Sequence, residues 1–422
     1  MNFADFILAH EADDLGRLAL SRERFAGQVE DFDLALCTLE VRRKLRTKVP
    51  EWVAVPSLRF PLRLSGEQCS SSATARYKAA VAFAACPGSA APRMADLTGG
   101  LGVDSWAFAQ LFGEVLYNEM QPELATAAQH NFRELGLGNI TVQNAILGAS
   151  EGSVAAILGS FGPDILYLDP ARRSAGGRRV FRLEDCQPDI SQLLPELLEA
   201  CPKLLLKLSP MADITLLCKQ LGCVKAVHVV AAEGECKELL LLLEKGCEGP
   251  PAMHIFENGT TAQLPGGDTP AYAEALPAGW LFEPGKALLK AGAFDWPCRY
   301  GLRKLGRHTH YYSAPDPVSE ITPFGKWYQI LETAPLNNRS IKEIGKRYPQ
   351  AEVTARNIPL TSDQLRAKLK VASGGAVHLF GLHIDHLDGN FLLICQTPGT
   401  REQEDTRCSG DYGRCKCSAR GG

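Results

Sequence analysis

The sequence lacks several features that would assign it to a common class of protein. Its formal net charge is only −3 over 422 residues, so nucleic-acid binding, if present, must come from local basic patches. Its longest apolar runs, such as residues 239–243, fall far short of the roughly 20 residues that span a bilayer. Residues 1–14 carry acids within their apolar pattern, unlike a secretory signal. We therefore expect a cytoplasmic protein with no membrane partner.

Two widespread nucleotide-binding signatures are also missing. The dinucleotide pattern Gly-x-Gly-x-x-Gly would need a third glycine where Ser105 stands. The phosphate-binding loop of nucleotide triphosphatases would need a Gly-Lys-Ser/Thr ending, which the glycine-rich turn of this chain does not have. The sequence therefore disfavours both a dinucleotide-dependent enzyme and a triphosphatase.

The cysteines do not form a recognisable metal or disulfide pattern. There are 14 of them, most lie singly in apolar stretches, and no pair of Cys-x-x-Cys knuckles occurs. A reduced compartment and no metal site are therefore predicted. The tail of residues 398–422 is predicted to be disordered, and a metal site there remains a minority alternative that would use Cys408, Cys415 and Cys417.

From residue 93 onward the chain alternates strand-like runs with helical patterns. Strands are predicted at 94–97, 114–118, 140–143, 164–168 and 203–208, and helices at 103–112, 122–135, 153–158 and 190–200. Repeated βα units of this kind predict an α/β fold with a parallel sheet covered on both faces. The preceding residues read mainly as helix. Gly249-Pro250-Pro251 marks a boundary, and a small α+β module is predicted after Pro335.

A glycine-rich turn follows the first predicted strand. The strand ends in Asp96, and the turn contains Thr98, Gly99, Gly100 and Gly102. Glycines permit positive φ and let a backbone approach a ligand closely. The Asp96 carboxylate and the backbone amides can then hold the amino and carboxylate ends of an amino-acid-like group. Because phosphate loops and ordinary tight turns look similar, the turn alone is weak evidence.

A second acid strengthens the prediction of a cofactor site. Glu119 ends the next predicted strand, 23 residues after Asp96 (119 − 96 = 23). An acid at this place can accept hydrogen bonds from both ribose hydroxyls of a nucleoside cofactor. The alternative is that Asp96 and Glu119 only cap strands and helices. Asn144 follows the third strand, where it either contacts an adenine edge or serves as a turn residue.

The segment that opens the helix before the sheet supplies further candidates. Ser71 and Thr74 carry hydroxyls that suit a helix N-cap, and Tyr77 follows within the first turns. The position also suits closing over one end of the cofactor, and we favour that interpretation slightly.

The fourth predicted strand ends in a candidate catalytic residue, Asp169, followed by Pro170. Ligands of open α/β sheets bind beyond the carboxyl ends of the strands, so Asp169 should share a rim with Asp96 and Glu119. A carboxylate before proline forms a rigid turn that can accept a hydrogen bond from a substrate amine and remove its proton. A strand-end cap is the alternative. The arginines that follow either face solvent or contact phosphates, and they are Arg172, Arg173, Arg178, Arg179 and Arg182.

Five short stretches resemble class I methyltransferases, and more narrowly the bacterial family that carries a C-terminal THUMP-like domain. They are DLTGGLGVD at 96–104, NEM at 118–120, LDPARR at 168–173, NRSIK at 338–342 and EVTARN at 352–357. The resemblance covers the chain up to about residue 396. It implies a Rossmann-like seven-stranded methyltransferase sheet that binds S-adenosyl-L-methionine.

The resemblance also implies domain limits and site residues. The implied domains are a helical region at 1–80, the methyltransferase domain at 81–247, a ferredoxin-like domain at 248–330 and a THUMP-like domain at 331–397. Asp169, Pro170 and Arg172 would be catalytic. The cofactor would be bound by Asp96, Thr98, Gly99, Gly100, Gly102, Asp104, Glu119, Met120, Asn144, Ser71, Thr74 and Tyr77.

THUMP domains bind RNA, so the resemblance implies an RNA substrate such as tRNA or rRNA. Enzymes that methylate exocyclic amines of nucleic acids typically carry Asp/Asn-Pro-Pro and an aromatic residue, whereas Ala171 and Arg172 stand here. Two alternatives stay open: a methyltransferase acting on a small molecule or protein, and a non-catalytic RNA-binding protein that keeps the fold. The oligomeric state is not predicted.

Overall fold

The computed structural model describes residues 1–25, 27–148, 152–172 and 183–397. The chain forms two compact units. The first contains Met1–Ala232 and Cys236–Gly259, and the second contains Glu233–Glu235 and the chain from Thr260 onward. Arg173, Arg178, Arg179 and Arg182 lie outside the described residues, as does the tail with Cys408, Cys415 and Cys417.

Seven helices precede the sheet of the first unit. Side chains of Asn2, Asp14 and Asp31 accept hydrogen bonds from backbone amides three residues later, which explains where three of the helices begin. The helices are α1 (Phe3–His10), α2 (Leu15–Leu20), α3 (Arg22–Phe25), α4 (Phe32–Lys48), α5 (Pro50–Val53), α6 (Arg63–Gln68) and α7 (Ser72–Ala84).

The helical region shares a hydrophobic core with the sheet that follows it. Trp52 and Phe60 are fully buried with their ring centroids 6.1 Å apart, and Trp52 also meets Trp106 edge-on at 6.4 Å. Both belong to the same cluster of buried residues as Phe108 and Tyr167, which lie in the α/β part of the unit. Residues 1–80, implied as a separate domain, therefore pack as part of the first unit.

The rest of the first unit alternates strands and helices as predicted. The elements are β1 (Arg93–Asp96), α8 (Val103–Phe108), β2 (Glu114–Asn118), α9 (Pro122–Glu134), β3 (Ile140–Gln143), α10 (Val154–Leu158), β4 (Ile165–Leu168), β5 (Ala171–Arg172), β6 (Cys186–Gln187), α11 (Ile190–Ala200), β7 (Lys203–Leu208), α12 (Ile214–Leu221), β8 (Val224–Ala232), β9 (Glu235–Glu244) and β10 (Ala252–Glu257).

The sheet confirms the predicted Rossmann-like α/β fold. Within the first unit the described strands of this sheet run in the order β10-β8-β9-β7-β4-β1-β2-β3, and the pairs along β7-β4-β1-β2-β3 are parallel. Strand β9 is antiparallel to β7 and lies inside the sheet. The seven strands from β3 to β8 are the expected set. Because β10 pairs in parallel with β8, the unit continues to Gly259, beyond the implied limit at 247.

The second unit is built on a seven-stranded sheet in the order β13-β14-β12-β15-β18-β17-β16. Its elements are β11 (Thr260–Leu264), β12 (Trp280–Pro284), α13 (Lys286–Lys290), β13 (Arg303–Lys304), β14 (Tyr312–Ala314), β15 (Gly325–Pro335), α14 (Asn338–Arg347), β16 (Glu352–Arg356), α15 (Ser362–Leu369), β17 (Val377–Ile384) and β18 (Gly389–Gln396).

One carboxylate connects neighbouring strands of this second sheet. The hydroxyls of Tyr311 and Tyr328 donate to the two oxygens of Glu283 at 2.7 and 2.9 Å. Both tyrosines belong to the buried cluster that also contains Phe380.

In the described parts of the chain, no helix is long and apolar enough to cross a membrane.

Candidate functional site

A cavity of about 470 Å³ opens at the carboxyl ends of the central strands of the first unit. It is lined by the glycine turn, defined as residues 98–102, and by Asp96, Glu119, Asp169 and Lys207. The three predicted acids therefore do share one rim, as the parallel sheet requires. The volume falls within the range of small-molecule and cofactor sites.

The glycines of the turn are required by their surroundings. A Cβ atom on Gly99 would lie 2.1 Å from the Tyr117 ring. Gly102 has φ +93°, and a Cβ there would lie 2.8 Å from Phe132. The Tyr117 hydroxyl donates to the carbonyl of Gly100 at 2.6 Å. Side chains of β2 and α9 therefore pack against the turn and fix its backbone at the edge of the cavity.

The Glu119 carboxylate is held over the glycine turn by backbone amides. The N–H of Gly100 donates to Oε2 at 2.9 Å, and the N–H of Gln121 donates to Oε1 at 2.8 Å. The side-chain amide of Asn144 donates to the carbonyl oxygen of Glu119 at 2.6 Å. Met120 lines the cavity, whereas Asn144 steadies the backbone and is not among the lining residues.

Asp96 is fully buried at the cavity wall. Burial raises the pKa of its carboxyl to about 8, although a hydrogen bond from the Ser105 hydroxyl at 2.6 Å favours the ionised form. The N–H of Thr98 donates to its other oxygen at 3.1 Å. In the structure without ligand, Asp96 therefore carries its proton near neutral pH and can release it to meet a cation.

The residues predicted from the helix N-terminus lie apart from the cavity. Ser71 and Thr74 form a capping box at the start of α7. The hydroxyl of Tyr77 lies 2.8 Å from Nδ1 of His228, and its ring stacks on Phe256 at 4.3 Å. None of the three predicted residues lines the cavity, and the neighbouring Ser70 does. The helix-cap interpretation thus accounts for Ser71 and Thr74.

Asp169 is fixed from two sides. Its N–H donates to Oγ1 of Thr98 at 2.6 Å, and Lys207 donates to its Oδ2 at 2.5 Å. Its side chain is 37% exposed and lines the cavity. Pro170 follows in the turn without lining the cavity, and Arg172 pairs with Cys186 in the short ladder of β5 and β6.

Lys207 belongs to a charged cluster, defined as Lys78, Asp104, Asp169, Lys207 and Glu238. Lys78 is fully buried, and its ammonium lies 2.8 Å from Glu238 and 3.2 Å from Asp104. Glu238 lies 3.9 Å from Lys207. The cluster therefore runs without a break from the core beneath the cavity to the carboxylate at its rim.

Two pKa shifts describe how the cluster is balanced. Burial alone would lower the pKa of Lys207, but Asp169, Glu238 and Asp104 raise it above its usual range. Burial alone would raise the pKa of Asp104, but Lys78 and Lys207 lower it. Tyr167 and Ser70 also donate to Asp104, at 2.7 and 3.1 Å. Lys207 is thus an ammonium donor and not a base.

One wall of the cavity comes from α6 and the residues that connect it to α7. Its lining residues are Leu62, Leu64, Ser65, Gln68, Cys69 and Ser70. Lys48 holds the segment by donating to the carbonyl of Glu67 at 2.5 Å. Burial raises the pKa of Cys69 to about 11, so its thiol stays protonated and is a poor nucleophile.

Comparison with known proteins agrees with the fold. The chain matches a THUMP domain-like family over residues 325–397 and a ferredoxin-like domain family over residues 280–321. It is similar to the crystal structure of a "putative methyltransferase" from Porphyromonas gingivalis W83, with 29% identity and a TM-score of 0.78. The similarity covers 94% of this chain and 97% of that one. The predicted resemblance is confirmed.

Other solved methyltransferases match only part of the chain. A "putative RNA methyltransferase" from Pyrococcus horikoshii is 16% identical, covers 47% of this chain with 100% of its own, and has a TM-score of 0.32. A ribosomal protein L11 methylase from Lactobacillus delbrueckii subsp. bulgaricus is also 16% identical, covering 41% and 79%, with a TM-score of 0.28. Neither is close enough to carry an argument. No protein of curated function matches the chain.

Proposed function

We propose that this protein transfers a methyl group from S-adenosyl-L-methionine to an acceptor bound at Asp169. The observation that carries the proposal is the shared cavity, in which the glycine turn, Glu119 and Asp169 meet at the carboxyl ends of adjoining strands. The full-length similarity to one methyltransferase structure supports it.

The residues present fit this cofactor. Glu119 would accept the ribose hydroxyls, because backbone amides fix its carboxylate at the cavity edge. Met120 and Ile146 offer apolar surface for the base, and both line the cavity. Asp96 would face the ammonium of the amino-acid end, since a nearby positive charge favours its ionised form. When bound, the cofactor supplies an activated methyl group on a sulfonium.

Asp169 would bind the methyl acceptor at its end of the cavity. Its carboxylate would accept a hydrogen bond from the N–H or O–H group that receives the methyl group, and would take up the proton that this group loses. Arg172 and the arginines after it remain candidates for contacting a phosphate of the acceptor.

We further propose that the acceptor is a nucleotide of a structured RNA, tRNA or rRNA. The THUMP-like match supports this, and α14 exposes Lys342 and Lys346 on its solvent side. Exposed cations on one helix suit binding to a phosphate backbone. A small-molecule or protein acceptor, and a non-catalytic RNA-binding role, are the alternatives that the experiment below separates.

Calorimetric titration with S-adenosylmethionine and S-adenosylhomocysteine tests the cofactor site. Wild-type protein should bind both, and Glu119→Ala should weaken binding by about tenfold or more, because it removes two charge-assisted hydrogen bonds. Glu123→Ala is the matched control, since Glu123 is an exposed acid on α9 that does not line the cavity. The control should bind as the wild type does.

The outcomes separate the alternatives. Binding that only Glu119→Ala weakens would support the cofactor site and justify methyl-transfer assays on RNA, protein and small-molecule acceptors. No binding by folded wild-type protein would reject the methyltransferase proposal and favour the non-catalytic role. Binding without transfer to any RNA would reject the RNA acceptor alone.

A further inference from the structure

The charged cluster has one feature that folding does not explain. Burying ions is costly, and buried ion pairs can often be replaced by apolar residues without loss of stability. Here two lysines and three carboxylates are gathered around one spot. One end of the cluster, Asp169, lies in the wall of the cavity.

The position of Asp169 is set by two contacts that leave one carboxylate oxygen available. Its backbone is tied to the Thr98 hydroxyl, and its Oδ2 is tied to Lys207. Within the described ranges, its Oδ1 accepts no hydrogen bond. The carboxylate therefore offers one oriented acceptor atom at the cavity wall.

Lys207 has a second acidic neighbour besides Asp169. Its side chain is 13% exposed, and Glu238 lies 3.9 Å from its ammonium. Glu238 receives both of its short contacts from Lys78, at 2.8 and 3.1 Å. The ammonium of Lys207 thus sits between two carboxylates whose own positions are constrained.

We propose that Lys207 is a positioning residue for the methyl acceptor: it holds the Asp169 carboxylate in one orientation, so that Oδ1 receives the N–H or O–H of the acceptor. This rests on the proposed function. Lys207 makes no bond to the transferred methyl group and keeps its proton throughout, because Asp169, Glu238 and Asp104 surround it.

The arrangement also limits the acceptor class. An ionised carboxylate can only accept hydrogen bonds, so it selects an acceptor atom that carries a proton. A carbon acceptor that needs a thiolate is disfavoured, since burial keeps the Cys69 thiol of the cavity wall protonated, with a pKa of about 11. The arrangement therefore fits an N–H or O–H acceptor that can donate a hydrogen bond to Oδ1.

Carbon-13 NMR titration of aspartate carboxyl groups tests this without any acceptor. Asp169 is assigned from its loss in Asp169→Asn. In Lys207→Met the midpoint of the Asp169 titration should rise by about 1 to 3 pH units, because an ammonium in direct contact is removed. Lys207→Arg should keep most of the wild-type midpoint, since it retains the charge.

Lys203→Met is the matched control for removing a lysine from the same strand. Lys203 donates to the carbonyl of Ala85 at 2.7 Å and does not line the cavity. Its variant should leave the Asp169 titration unchanged. If Lys207→Met does not fold, Lys207→Arg and the Glu238→Gln variant still report whether the Asp169 midpoint follows this contact.

An activity measurement then separates positioning from binding. With S-adenosylmethionine and unmodified tRNA and rRNA transcripts, Lys207→Met should lower kcat by at least about tenfold, with KM for the RNA changed little. Lys207→Arg should recover part of the rate. The pH at which the rate falls on the acid side should move upward in Lys207→Met.

The two proposals fail in different ways. An Asp169 midpoint that Lys207→Met leaves unchanged overturns the role of Lys207, whatever the protein binds. Absence of cofactor binding overturns the proposed function but leaves the NMR result to decide whether Lys207 orients Asp169. Equal losses of kcat in Lys207→Met and Lys203→Met would also reject the positioning role.

Discussion

The two ends of the cavity are built in different ways. At one end, the glycine turn and Glu119 are held by backbone amides of residues close in the sequence, such as Gly100 and Gln121. At the other end, Asp169 is held by Lys207, and behind it stands an ion pair between residues 160 positions apart. One end is therefore local backbone geometry, and the other is long-range side-chain electrostatics.

This difference determines how each end should respond to mutation. At the end that is built from backbone contacts, loss of a charge should change the free energy of unfolding little, whereas added side-chain volume should lower it. A side-chain-built end should be sensitive to loss of a charge, because the partners are left buried without compensation. Hydrogen exchange of β1 and β4 measured against denaturant can report both, since these strands carry the two ends of the cavity.

The largest effect is expected from Lys78→Met. It leaves Asp104 and Glu238 without their buried cation, and we expect the free energy of unfolding to fall by about 3 to 5 kcal/mol. Lys203→Met should cost only about 1 kcal/mol, because it removes a single hydrogen bond to a carbonyl. A cost for Lys78→Met no larger than for Lys203→Met would show that the charged end is not built as described.

A smaller effect is expected at the backbone-built end from Gly99→Ala. The added Cβ would lie 2.1 Å from the Tyr117 ring, so the ring and the turn must move apart. We expect a loss of about 1 to 3 kcal/mol in the free energy of unfolding, together with weaker cofactor binding in the titration described above. Gly138→Ala is the control, because open space surrounds that glycine. Equal stability of the two variants would contradict the packing argument.

The most pH-dependent effect is expected from Asp96→Asn. The unfolded chain releases this proton near pH 3.8, whereas the folded protein keeps it up to about pH 8. The stability of the wild type should therefore fall as pH rises through this window. Asparagine has no proton to lose, so the variant should gain at least about 1 kcal/mol relative to the wild type between pH 5 and 8. A difference independent of pH would place the ionised carboxylate in the folded protein.

Local patterns predicted the sheet well. Strands β2, β3 and β7 and helix α11 have the predicted bounds, because each is a short apolar or amphipathic run between clear turn signals. Helix α12 was missed, although Asp213 caps its start and Gly222 its end. The run of prolines before β10 indicated a boundary, yet β10 joins the first sheet, because strand pairing is decided by tertiary contacts.

The site could be predicted from the sequence only where its residues belong to short motifs at the ends of strands. Asp96, Glu119 and Asp169 each end a strand, and parallel strands bring such ends together. The roles of Lys78 and Glu238 could not be inferred, because neither lies in a motif and their pairing depends on the packing of α7 against β9. The part of the cavity wall formed by Leu62, Leu64 and Ser65 was not predicted for the same reason.

The second sheet determines where this chain can be cut without exposing the edge of a strand. The ferredoxin-like match ends at residue 321 and the THUMP-like match begins at 325, yet β12 of one is hydrogen-bonded to β15 of the other, and Glu283 joins Tyr311 to Tyr328 across the same seam. Cutting the chain between the two would leave β15 as a bare edge, which promotes aggregation. The two matched families therefore describe parts of one folding unit.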